Sequence, residues 1–243
     1  MSTTHTHGFA SHGARAPLID SHSATNAPRK SSRAPIASAF VAILADTGVS
    51  HGLIGPREVP RLWDRHVLNC AVIEDAFPSG AMVIDVGSGA GLPGLALAIT
   101  RSDLDVHLVE PMLRRTKWLS ETVAALHLDN VTVHRGRAEE FAGVLSAPWV
   151  TARAVARLDK LARWCVPLLG DEGTLVAMKG RTAADELTQD RPALTTLGLL
   201  DATVTEHGGA VLEEPVLSVD LVFCPRGGTA HRPHASRRVR KAR

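Results

Sequence analysis

The 243-residue chain has no tyrosine and only five phenylalanines and four tryptophans. So few aromatic rings exclude a broad stacking platform for single-stranded nucleic acid, because such platforms seat successive bases on aromatic faces. Cysteine is scarce too. Cys70, Cys165 and Cys224 are odd in number and far apart, which excludes both a disulfide scaffold and a cysteine-based metal site. Free thiols suit a reducing compartment, and a cytoplasmic protein without a metal is expected. No apolar run approaches the ~18 residues that a membrane-spanning helix needs. The first residues lack the apolar stretch of a secretory signal.

Acidic residues are missing from one region in particular. From Pro225 to Arg243 the net charge is +7, with no acid at all, and residues 1–37 carry +3. The formal total is +2, so residues 38–224 carry −8. An acidic body with a basic tail is the charge pattern of a protein that meets a polyanion through the tail, here Arg237, Arg238, Arg240 and Lys241.

What is present is a globular composition, 44% hydrophobic and 21% charged. Residues 1–37 are rich in Ser, Thr, Ala, His and Pro without apolar periodicity, and disorder is predicted there. Residues 38–224 read as one domain and 225–243 as a basic, disordered tail. A helix is predicted over 37–47, stopped by Gly48. Pro56 opens a second helical pattern whose buried face would take Val59, Leu62, Trp63, Val67, Leu68 and Ile73. From Met82 strands and helices alternate. Strands are predicted at 82–86, 106–109, 131–134, 149–153, 174–179, 202–206 and 216–223. Helices are predicted at 95–100, 113–127, 157–169 and 183–197. Repeated βαβ units imply a doubly wound, mostly parallel α/β sheet of seven strands. The last two strands are too closely connected for a parallel crossover, so a terminal antiparallel hairpin is predicted. Trp63, Trp118, Trp149 and Trp164 are expected in the core.

Between the first strand and its helix lies Asp85-Val86-Gly87-Ser88-Gly89-Ala90-Gly91-Leu92-Pro93-Gly94. Doubly wound folds bind ligands at such a turn, where bare backbone and a helix N-terminus meet the ligand. Two fingerprints overlap. Gly89, Gly91 and Gly94 fit the dinucleotide pattern, whereas Gly87, Gly89 and Gly91 after Asp85 fit the turn of S-adenosyl-L-methionine-dependent methyltransferases. Glu110 closes the second strand, and an acid there accepts ribose hydroxyls in either case. Arg137-Ala138-Glu139-Glu140 follows the third strand, where a carboxylate and a backbone N–H are placed to read an adenine edge. Arg153 ends the fourth strand and suits a carboxylate or a phosphate.

Several segments together resemble the ribosomal RNA small-subunit methyltransferase G family, also called glucose-inhibited division protein B. They are Leu62-Trp63-Asp64-Arg65-His66-Val67-Leu68-Asn69, the 85–94 turn, Arg114-Arg115-Thr116-Lys117-Trp118-Leu119, the 137–141 segment, the 151–154 segment and Met178-Lys179-Gly180. The resemblance spans about residues 40–225. It implies methyl transfer from S-adenosyl-L-methionine to N7 of one guanine in 16S rRNA of the small ribosomal subunit. It further implies cofactor contacts at Gly87, Leu92, Ala138, Glu139 and Arg153, with Arg65 and His66 over the reaction face. Glu110-Pro111 stands where the family more often has Asp-Ser, and Asn69 replaces a frequent aspartate.

Guanine N7 carries an in-plane lone pair and no proton, so alignment rather than a general base is expected to drive the reaction. Arg137 and Arg153 are expected to arrange the methionine end and the target nucleotide, Lys179 to touch phosphate, and His66 to stack on or hydrogen-bond the guanine. A monomer is expected. Three other readings share parts of this pattern. They are a small-molecule methyltransferase, a nicotinamide-dependent oxidoreductase, and a non-catalytic RNA-binding or ribosome-assembly protein.

Overall fold

A computed structural model describes residues 33–153 and 155–224. The stretch 1–32 and the basic tail, with Arg237, Arg238, Arg240 and Lys241, lie outside the described residues.

The chain enters through α1 (Ala34–Ile43), with Pro35 in the first turn, where its missing N–H breaks no helical bond. The helix starts three residues before the expected boundary. It widens into a π turn over Leu44–Gly48, and Phe40 and Leu44 are buried. The single helix predicted from Pro56 is in fact several short pieces. A 3-10 turn (Pro56–Arg61) leads into a π-helical stretch (Leu62–Leu68), then α2 (Asn69–Ala71) and a second 3-10 turn (Val72–Ala76). Pro60 lies inside the first piece, where it has no N–H to donate. The changed winding turns Trp63 outward, 43% exposed, while Leu62, Val67, Cys70 and Ile73 stay buried. The expectation that Trp63 sits in the core is therefore corrected. Trp118 is buried, and Trp149 and Trp164 are partly so.

The sheet begins with β1 (Met82–Val86), followed by α3 (Gly94–Thr100), β2 (Asp105–Glu110), α4 (Leu113–Ala125) and β3 (Val131–Arg135). A 3-10 turn (Ala138–Phe141) leads to β4 (Ala147–Arg153), α5 (Leu158–Cys165), β5 (Leu169–Lys179), α6 (Ala183–Thr196), β6 (Leu199–His207) and β7 (Val216–Phe223). The strand order is β3-β2-β1-β4-β5-β7-β6, with β7 antiparallel to both neighbours. The predicted seven-stranded sheet with its terminal hairpin is what forms.

One strand is longer than its pattern suggested. β5 starts at Leu169 rather than Thr174, because Gly173 lets it run close beside β4: a Cβ there would lie 2.9 Å from the Pro148 carbonyl oxygen. Pairing also slips between Ala147 and Trp149, so the early part of β5 survives without a regular apolar alternation.

Alternate side chains of the strands point to opposite faces, and each face has its own core. Val83, Leu108 and Val176 pack with α3, α4 and the N-terminal cap formed by the helical pieces of residues 34–76, including Phe40, Leu62 and Trp118. Ile84, Val150 and Leu175 pack with α5 and α6, including Leu161 and Leu194. The cap is tied down by polar bonds as well. Trp118 Nε1 donates to Thr47 Oγ1 (2.9 Å), and the buried His207 joins Asp75 (2.8 Å) to Ser218 (2.8 Å). Among the described residues no helix is long and apolar enough to cross a membrane. The strand order reverses between β1 and β4, and ligands of open α/β sheets bind at that crevice.

Candidate active site

The glycine turn leaves β1 at this crevice and is held against the end of β2. Gly87 and Ser88 donate their N–H groups to the Val109 carbonyl (2.8 and 3.3 Å). Gly89 has φ +54°, a left-handed conformation that favours glycine, and its N–H points at Glu110 Oε2 (3.1 Å). Leu92 is buried and precedes Pro93 through a cis peptide. Val155 packs over the turn: a Cβ added to Gly87 would sit 3.1 Å from its Cγ2.

Two buried carboxylates brace the turn from below. Glu110 is 1% exposed. Its Oε2 takes the Gly89 N–H, its Oε1 takes the Met112 N–H (3.0 Å), and the Arg115 guanidinium lies 3.6 Å from Oε2. Each oxygen keeps a second lone pair for a hydroxyl donor. Asp85 is fully buried. Its Oδ2 accepts the Gly94 N–H (3.0 Å), whereas its Oδ1 is buried with no hydrogen-bond partner. Burial pushes the Asp85 carboxyl up to about 7, against the lowering effect of the Gly94 and Ser88 bonds and of Arg153. A cation bound above the turn would favour its charged form. An unpartnered buried acceptor, a second carboxylate with spare lone pairs and the half-buried backbone of Gly87 and Gly89 thus fit a ligand that carries a positive charge and vicinal hydroxyls, as S-adenosyl-L-methionine does.

The end of β3 is brought alongside by the bond from Gly136 N–H to the Glu110 carbonyl (3.2 Å). This places the 3-10 turn with buried Ala138 and exposed Glu139 next to the second strand. Arg137 immediately precedes it, exposed and without a side-chain partner among the described residues.

Across the switch point, the ends of β4, β5 and the terminal hairpin enclose a cleft of about 900 Å³. Arg65, His66, Arg153, Lys179 and Arg181 line it, with Glu206 and Glu214 on the hairpin side. The structure therefore brings Arg65, His66 and Arg153 together, although 87 residues separate the last two. Arg153 reaches into the cap: Nη2 meets His66 Nδ1 (2.7 Å), and Nη1 donates to the His66 carbonyl (3.3 Å) and to Cys70 Sγ (2.9 Å). His66 Nε2 in turn meets Glu58 Oε2 (2.8 Å).

Lys179 lines the cleft, but its ammonium is engaged. It donates to the Ala156 carbonyl (2.7 Å) and to Glu186 Oε1 (2.8 Å), and its side chain is 11% exposed. Glu186 also accepts the Leu158 N–H (2.7 Å), so this pair anchors the loop between β4 and α5. The phosphate contact expected of Lys179 would require breaking that pair. Arg65, with its side chain half exposed, and Arg181, almost fully so and paired with Glu214, are the freer cations.

Glu58, Cys70 and Glu186 were not singled out from the sequence. Glu58 stands eight residues before His66, which in one continuous α-helix would be about 12 Å away along the axis, so the contact depends on the break between the 3-10 turn and the π-wound stretch. Cys70 was legible only as a free thiol.

Comparison with known proteins follows the same lines. The family described as rRNA small subunit methyltransferase G matches residues 33–214. The ribosomal RNA small subunit methyltransferase G of Pseudarthrobacter chlorophenolicus is 53% identical over 190 residues, covering 78% of this chain and 88% of that protein. The protein of the same name from Thermobifida fusca is 52% identical over 206 residues, covering 84% and 87%. Among solved structures, a proposed S-adenosyl-L-methionine-dependent methyltransferase of Methanococcus maripaludis superposes with a TM-score of 0.53 at 11% identity, over 80% of this chain and 94% of that one, a likeness of fold alone.

Proposed function

The chain belongs to the rRNA small subunit methyltransferase G family, and from that premise we propose that it transfers the methyl group of S-adenosyl-L-methionine to N7 of a guanine in 16S rRNA. The observation that carries the reading is the pairing of two sites across one switch point. One is the braced glycine turn with the unpartnered Asp85 Oδ1, and the other is the basic cleft beside it.

When bound, S-adenosyl-L-methionine supplies a sulfonium-activated methyl group. The chain's own residues bind and align. Gly87, Gly89 and Leu92 offer backbone to the ligand, and Glu110 accepts ribose hydroxyls through its spare lone pairs. Ala138 and Glu139 meet the adenine edge. Arg153, at the end of β4, stands between this site and the cleft. Arg65 and Arg137 attract the RNA backbone, with the tail beyond residue 224 adding charge that the acidic body lacks. No residue is required to take a proton, since N7 has none to lose. His66 fits that chemistry, because both of its ring nitrogens are engaged by Glu58 and Arg153 and only the ring remains for the base. Alignment of this kind supplies a large part of a catalytic advantage. On this reading the protein acts in the cytoplasm, as a monomer that meets the small ribosomal subunit.

The test is mass-spectrometric mapping of methylated nucleotides in 16S rRNA from cells with and without the protein. A 7-methylguanosine lost on deletion and restored by the purified protein with S-adenosyl-L-methionine is the expected result. An unaltered rRNA, with methylation of a small molecule instead, would refute the substrate.

A further inference from the structure

We infer that Glu58 is a positioning residue for this reaction: its carboxylate sets the tautomer of His66, and that tautomer holds the Arg153 guanidinium at the edge of the cleft. The inference rests on the function proposed above and deepens it.

A guanidinium only donates hydrogen bonds. At 2.7 Å from Arg153 Nη2, His66 Nδ1 must therefore be the acceptor. A neutral imidazole with a lone pair on Nδ1 carries its proton on Nε2. That proton lies on the line to Glu58 Oε2, 2.8 Å away, and a carboxylate can only accept. Each bond thus demands the same tautomer. In the opposite tautomer an N–H would face the guanidinium and a lone pair would face the carboxylate, so both contacts would turn repulsive.

Protonation would break the arrangement too, because an imidazolium has no acceptor for Arg153. The charged groups around the ring are Glu58 at Nε2, with Arg65 Nη1 3.8 Å from the same Glu58 oxygen, and Arg153 at Nδ1. Burial is the largest influence and lowers the His66 protonation range. Arg153 and Arg65 lower it further, and Glu58 works in the opposite direction. Cys70, the other partner of Arg153, stays a neutral thiol because burial pushes it up to about 11. The ring is therefore neutral at neutral pH, and a neutral ring needs something to choose between its two tautomers. Glu58 fixes that choice from the Nε2 side, reinforcing the tautomer that the Arg153 bond needs. The His66 carbonyl and Cys70 Sγ hold only Nη1, so the orientation of the fork depends on the bond at Nη2. The Glu58 side chain is 34% exposed on a short 3-10 turn, so its removal leaves the core intact.

The experiment measures single-turnover methylation of small-subunit RNA as a function of pH for the wild type, Glu58→Ala and Glu58→Gln. Glu58→Ala should slow turnover about 10- to 100-fold, the scale of a misplaced active-site group. Glu58→Gln should restore most of the rate, because the amide oxygen still accepts the Nε2 proton. Both variants lose the carboxylate that raises the His66 range, so the acid limb of their profiles should move to lower pH. In His66→Ala protein the Glu58→Ala loss should vanish into the first, since the two act as one unit. Imidazole nitrogen NMR should show the Nε2–H tautomer in the wild type and a mixture in Glu58→Ala. A Glu58→Ala enzyme with wild-type turnover, an acid limb that stays in place, or Glu58→Gln failing as badly as Glu58→Ala would overturn the inference. A wild type inactive on ribosomal RNA would instead indict the substrate assignment, and the NMR comparison would still decide the tautomer.

Discussion

Replacing Gly94 by alanine adds one methyl group where the first turn of α3 meets the sheet. A Cβ there would lie 2.3 Å from Leu108 Cδ2, 2.7 Å from Asp85 Oδ2 and 3.1 Å from Asp85 Cβ. Neither neighbour has room to retreat, since Leu108 and Asp85 are both fully buried. Asp85 also accepts the Gly94 N–H, so moving its carboxylate strains the bond that fastens the helix to β1. Overpacking of this kind costs about 1–3 kcal/mol. Alanine's better helix propensity returns at most about 1 kcal/mol, and less at a helix end. The net loss should be about 1–2 kcal/mol, which for a domain of this size lowers Tm by about 2–8 °C. Urea unfolding with linear extrapolation, checked by calorimetry, measures it. Gly209→Ala is the control, because nothing lies within 4 Å of its added Cβ and its φ is not left-handed. That change should stay within about 0.5 kcal/mol of the wild type. If Gly94→Ala proves as stable as Gly209→Ala, the close-approach explanation of this glycine fails. Affinity for S-adenosyl-L-methionine should fall with it, as the turn above Asp85 shifts.

The raised Asp85 carboxyl has a consequence for pH. Its folded value, about 7, lies above the ordinary 3.8, so the native state holds the proton more tightly and wild-type stability should decline as pH rises between those values. Asp85→Asn should abolish that slope, by on the order of a few kcal/mol across the window; parallel stability curves for the two proteins would contradict the burial of this charge. Cations of the cleft should separate in the salt dependence of RNA binding. Arg65→Ala should reduce the slope by about one, and removal of residues 225–243 should reduce it further while leaving cofactor affinity alone. Lys179→Met should leave the slope unchanged yet lower stability by about 1–3 kcal/mol, because Glu186 and the Ala156 carbonyl lose their donor. A slope that drops for Lys179→Met would show that its ammonium leaves the pair to meet phosphate.

Much of this architecture is local and was therefore legible before any coordinates. Strand–helix alternation from Met82, the bare turn after Asp85, the acid closing β2 and the hairpin at the end are all written in short-range patterns of apolar spacing and glycine placement. The charge of the tail needs no structure either. What could not be read depends on winding and on distance. Nothing near Trp63 announces the π-wound stretch that turns it to solvent, and the length of β5 depends on its fit beside Pro148.

Composition and periodicity by themselves determined a doubly wound sheet with a glycine-rich turn at its switch point, because each of those features is set by neighbours along the chain. Only the tertiary structure decided what the side chains there do. It sent Lys179 inward to Glu186, gave each Glu110 oxygen one backbone donor, and placed Glu58, His66 and Arg153 on one line of hydrogen bonds. The physical reason is that a titratable group takes its role from whichever donor or acceptor folding brings within 3 Å or so, and a linear sequence does not state that separation.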